Sequence, residues 1–73
     1  MTVFCKVYSD LKTFDTVEEA KGYFLMGMMN SEGSEHERYS TIYEQLSRGH
    51  KYCVDEDIPD HTLTNMEKML TGK

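Results

Sequence analysis

Five side chains of metal-binding or nucleophilic type are scattered through the sequence: Cys5, His36, His50, Cys53 and His61. A structural zinc site draws on tight ligand pairs, such as two cysteines separated by two residues. Only His50 and Cys53 approach that spacing, and on a strand residues three apart point to opposite faces. The pattern predicts a buried thiol, an exposed imidazole and no metal. The run Asp55-Glu56-Asp57-Ile58-Pro59-Asp60 hints at a calcium loop. An EF-hand needs an oxygen ligand at loop position five and glycine at six, and this chain has Pro59 and Asp60 there. A solvated acidic turn is expected instead. Cysteine, histidine and aspartate also serve nucleophilic catalysis, but no Gly-x-Ser-x-Gly and no glycine-rich phosphate cradle occurs. The sequence predicts neither an enzyme nor a cofactor.

The bulk composition agrees. The chain has 73 residues, a formal charge of −5, 38% hydrophobic residues and one proline, which suits one acidic α+β domain over residues 1–73. A domain this short buries only about 60% of the surface its unfolded chain exposes. A single core of this size often leaves just a few kcal/mol of stability, to which nature adds a disulfide, a metal or a partner subunit. The start, Met1-Thr2-Val3-Phe4-Cys5-Lys6, lacks a basic, apolar leader. That places the chain in the cytoplasm, where Cys5 and Cys53 stay reduced and act as small hydrophobes. No apolar run approaches the roughly 18 residues of a membrane span.

The elements that would position any site follow from periodicity and punctuation. Residues 2–8, Thr-Val-Phe-Cys-Lys-Val-Tyr, alternate as a strand. Ser9-Asp10 is a turn, and Leu11 to Phe14 is a short second strand of a hairpin. Asp15 with Glu18 reads as a capping box opening a helix. Val17, Ala20, Phe24 and Met28, widened by Tyr23, form its stripe. Asn30 to Gly33 ends it. Ser34 with Glu37 opens a second helix, whose Tyr39, Ile42, Tyr43 and Leu46 stand at i, i+3, i+4 and i+7. Gly49 supplies a left-handed stop. His50 to Val54 alternates as a third strand pairing with the first. A last helix opens at Asp60 or Thr64, with Leu63, Met66, Met69 and Leu70 as its stripe and Gly72 as its cap. The order β-β-α-α-β-α predicts helices over one face of a small antiparallel sheet of two to three strands.

Charge argues against nucleic acid as a partner. Residues 34–54 balance Glu35, Glu37 and Glu44 against Arg38, Arg48 and Lys51, and the flanking helices are acidic. Phosphate binding needs surplus cations on one face. A nucleic-acid-linked regulator would have to gather Lys6, Lys12, Arg48 and Lys51 together, or use its acids to imitate phosphate. A remote third reading is a small enzyme with a concave pocket.

The segment Tyr23-Phe24-Leu25-Met26-Gly27-Met28-Met29 is the strongest functional signal. It is apolar all round, whereas a surface helix keeps a polar face, so it is either a central helix covered within the domain or a surface for a partner or a second copy. Gly27 weakens the helix yet permits close approach of another backbone, and methionines adapt to varied partners. Leu25, Met26, Met28 and Met29, with Tyr39 and Tyr43 on the neighbouring helix, are the candidate interface. Its occupant would be an unknown protein partner or a second copy in a homodimer.

Glu37-Arg38-Tyr39 through Gly49, with Asp55 beyond, resembles short uncharacterised accessory proteins of mobile elements in Gram-positive bacteria. The likeness spans about half of the chain. It implies a cytosolic accessory role and carries no catalytic signature and no site residue.

Overall fold

A computed structural model describes residues 2–71. Its order is β1 (Val3–Val7), β2 (Asp10–Phe14), α1 (Val17–Met29), α2 (Ser34–Ser47), β3 (Tyr52–Val54) and α3 (Asp60–Thr71). The α+β order of two strands, two helices, a strand and a helix is the one expected. The third strand is shorter than expected, and Gly72 lies outside the described residues.

The sheet has the order β2-β1-β3. β1 and β2 pair antiparallel, with Val3 opposite Phe14 and Val7 opposite Asp10. β3 runs parallel to β1, with Phe4 opposite Tyr52 and Cys5 opposite Cys53. The sheet is therefore mixed, not wholly antiparallel. The cause is the helical hairpin. β2 ends at Phe14, beside the start of β1. α1 leaves from there, and α2, at 14 residues against 13, brings the chain back to the same end. β3 can then only run alongside β1 in the same direction, the long crossover that parallel pairing needs.

Two residues turn the hairpin. Tyr8 (φ 53°) and Ser9 (φ 69°) are both left-handed, the twist that suits a two-residue connection. Neither is glycine or asparagine, so the turn needs outside support. Asp55 Oδ2 accepts the Tyr8 amide at 3.0 Å, and the Arg38 guanidinium lies 4.6 Å from the centre of the Tyr8 ring.

Helices cover both faces of the sheet rather than one. Val3, Cys5, Val7 and Cys53 pack against Ala20 and Phe24 of α1 and Ile42 and Leu46 of α2. On the other face Tyr52 and Val54 pack with Leu63 of α3, edged by Phe4, Ile58 and Met66. All three β3 residues are buried. Cys5 and Cys53 are free thiols, both buried and facing each other across the β1–β3 pair.

Helix ends shift by one residue from the expected positions. Thr16, not Asp15, caps α1, its hydroxyl accepting the Glu19 amide at 3.1 Å. The Asp15 amide, one residue before the cap, donates to the Glu19 carboxylate at 3.3 Å, so Glu19 rather than Glu18 reaches back over this end. Gly33 (φ 69°) precedes α2 with no side-chain cap, and Ser34 is already helical. Asp60, not Thr64, opens α3. Gly49 (φ 95°) follows α2 as expected.

Candidate interaction surface

The α1 helix is held from both ends and from beneath. Ala20 and Phe24 are fully buried, and Phe24 forms an aromatic cluster with Phe14, Tyr23 and Tyr39 at centroid distances of 5.9, 5.0 and 5.7 Å. At the C-terminal end, Ser31 Oγ donates to the Gly27 carbonyl at 2.6 Å and His36 Nδ1 meets the Met28 carbonyl oxygen at 2.9 Å. These bonds take up carbonyls that a helix end leaves without intrahelical partners.

Gly27 does not serve another backbone. A Cβ built there would stand 2.8 Å from the Tyr39 ring, so the glycine exists to seat an α2 side chain. Gly22 is different: a Cβ at 22 meets nothing within 4 Å. It sits on the exposed side of α1, four residues before Met26 and seven before Met29.

The six candidate interface residues divide. Leu25, Met26 and Met29 are exposed by 42, 60 and 73%. Met28 is half-buried. Tyr39 and Tyr43 are also half-buried and pack against the core, so they belong mainly to the interior of the hairpin. Tyr23, 45% exposed, joins the surface group. Its ring packs at a tilt on Phe14, with centroids 5.4 Å apart. Tyr23 stands at the margin of the Val17–Ala20–Phe24–Met28 stripe, and that marginal position is the signal in the sequence for its exposure.

No residue from Gly22 to Asn30 is charged. The exposed side of this run is thus uncharged over two helical turns, on a molecule of net charge −5. Beside it lies a notch of about 410 Å³ lined by Tyr23, Met26, Gly27, Asn30 and Tyr39. Contiguous apolar surface of this kind marks interaction sites more often than scattered single residues do.

The other sequence candidates are dispersed. Lys12 lies 5.7 Å from the Tyr23 ring centre, and Arg48 pairs with Asp60 at 3.1 Å. Lys6 lies instead on an open groove of about 480 Å³, with Tyr8, Arg38, Tyr52, Asp55 and Met66 among its other walls. Among the described residues, no three His, Cys, Asp or Glu side chains are placed to hold a metal ion. No helix among the described residues is long and apolar enough to cross a membrane.

Asp55 is the most constrained charge in that groove. Burial alone would raise its carboxyl pKa; the Tyr8 amide and the Arg38 guanidinium outweigh burial and hold it below the usual carboxylate range. Arg38 Nη1 is 2.6 Å from Asp55 Oδ2. Because Asp55 joins β3 to the turn and to α2, this cluster reads as a brace for the fold. The exposed Asp60 carboxyl is also lowered, chiefly by its bond to His50.

No known protein family, curated protein or solved structure matches the chain. The class that the architecture defines is a small α+β domain with a mixed three-stranded sheet.

Proposed function

We propose that the protein is an interaction module that docks a partner protein on the outer face of α1. The observation that supports this most directly is the exposure of Tyr23, Leu25, Met26 and Met29 on an uncharged stretch of a well-anchored helix. Interface centres are poor in charge and rich in methionine and aromatic residues. The occupant is an amphipathic helix of the partner. Gly22 supports that choice. Glycine costs an exposed helix interior about 1 kcal/mol relative to alanine, and none of the described residues needs the space. A helix crossing close to α1 at Gly22 does need it, with one of its side chains entering the Tyr23–Met26–Tyr39 notch.

The test compares capture from the native cell by the unaltered protein, by Met26→Asp with Met29→Asp, and by Met69→Asp. Met69 is 83% exposed on α3 and controls for general stickiness. The reading expects one protein retained by the unaltered chain and by Met69→Asp but lost with the α1 pair. Equal retention by all three variants contradicts it.

A further inference from the structure

The two edges of the sheet are treated differently. On the β3 edge, the Val54 amide donates to Gln45 Oε1 at 3.0 Å, and Gln45 Nε2 donates to the Glu56 carbonyl at 3.0 Å. Gln45 is the one buried polar residue among those described, and it closes that edge. Among the described residues, none covers the β2 edge in this way.

Which β2 groups are open follows from the ladder. Phe4 donates to the Lys51 carbonyl and Lys6 accepts from the Asp55 amide, so both direct their backbone toward β3. Val3, Cys5 and Val7 then face β2, and their register partners Phe14, Lys12 and Asp10 face back. Leu11 and Thr13 therefore point their amides and carbonyls outward. Among the described residues, no hydrogen bond joins either backbone to a residue beyond the hairpin. Leu11 is also half exposed. An open strand edge of this kind is a template for pairing.

We propose that a second copy of the chain pairs antiparallel with β2, Leu11 opposite Leu11, and makes one six-stranded sheet. Charge selects the occupant and the register. With Leu11 on the two-fold axis, Asp10 of each copy stands opposite Lys12 of the other, giving two ion pairs. Leu11 exchanges both backbone bonds with its counterpart, and the two leucines meet on the outer face. Sliding the strands to put Leu11 opposite Thr13 brings Lys12 against Lys12, and directly opposed like charges destabilise a sheet. The strand is thus self-complementary in one register. The edge adjoins the α1 face at one point, where Lys12 lies 5.7 Å from the Tyr23 ring centre.

Sedimentation equilibrium over a concentration series tests it, with circular dichroism confirming that each variant is folded. The unaltered chain should approach twice its 8.5 kDa mass as concentration rises. Lys12→Asp, which sets two aspartates against two, should weaken the dimer on the order of tenfold or more. Asp10→Lys added to Lys12→Asp restores opposite charges and should restore the dimer. Both variants lose the Lys12–Tyr23 contact, so recovery in the second cannot arise from it. A monomer at every concentration overturns the proposal, as does a dimer indifferent to Lys12→Asp or a double variant that fails to recover. A dimer lost with Met26→Asp but not with Lys12→Asp would place self-association on α1 and overturn it equally.

Discussion

Gly27 and Tyr39 touch so closely that a Cβ at position 27 would lie 2.8 Å from the Tyr39 ring. The ring also packs on Phe24 one turn earlier in α1, with centroids 5.7 Å apart, so yielding to a Cβ would disturb that contact. Gly27→Ala should therefore destabilise the fold by about 1–3 kcal/mol, as overpacking does. Gly22→Ala, with open space around it, should instead stabilise the isolated chain by about 1 kcal/mol. Urea midpoints of the two variants measure the opposite signs. If Gly22 also admits a partner helix, the same Gly22→Ala change should reduce capture while it raises the midpoint.

Ser9 occupies a left-handed conformation with its side chain exposed. A non-glycine residue pays about 1–2 kcal/mol there. Ser9→Gly should therefore raise stability by about 1 kcal/mol, read as a thermal midpoint several degrees higher. Tyr8, also left-handed, should not give the same gain, because its ring carries the Arg38 contact. A Ser9→Gly variant less stable than the parent would contradict the strain assigned to this turn.

Asp55 ties stability to pH. Its folded-state pKa lies below the ordinary carboxylate value, so its contribution is fully present above the unfolded pKa of about 3.9. It is lost as pH falls from there through the lowered folded value. Asp55→Asn should lower stability at neutral pH and lessen the further loss on acidification. Equilibrium unfolding at pH 7 and pH 3 measures both. A loss of equal size at the two pH values would show that the brace does not depend on the Asp55 charge.

The Cys53 thiol is pushed well above its ordinary pKa by its hydrogen bond with the Cys5 thiol and by burial, and a thiol rather than a thiolate is a poor nucleophile. Both cysteines are inaccessible. A thiol-reactive dye should label neither in the native protein and both in denaturant, with labelling in water limited by unfolding. Rapid native labelling would place at least one sulfur at the surface.

The sequence made some elements legible for plain physical reasons. The α2 stripe worked because Ile42 and Leu46 lie at its centre and are fully buried, with Tyr39 and Tyr43 at its margins. Gly49 worked because a positive φ is needed to leave that helix. The direction of β3 did not emerge, because it depends on the similar lengths of α1 and α2 and not on any residue in β3. Its second buried face did leave a trace: Tyr52, Cys53 and Val54 are consecutive apolar residues, the mark of a strand covered on both sides. The α3 stripe was only half used. Leu63 and Met66 meet the sheet, but β3 is three residues long, and Met69 and Leu70 remain exposed. The α1 segment was conspicuous from composition, yet which of its apolar residues face outward depends on where Tyr39 and Phe14 sit. Those contacts join residues distant in sequence and leave no local pattern.

The docking face is tested most directly by placing a photo-crosslinking residue at Met26, and separately at Met69, in the cell that makes the protein. Irradiation should give one discrete adduct from position 26, heavier than two copies of the chain together with any dimer mass excluded, and none from position 69. An adduct pattern that is the same at both positions, or absent at Met26, would contradict α1 as the surface through which this protein works.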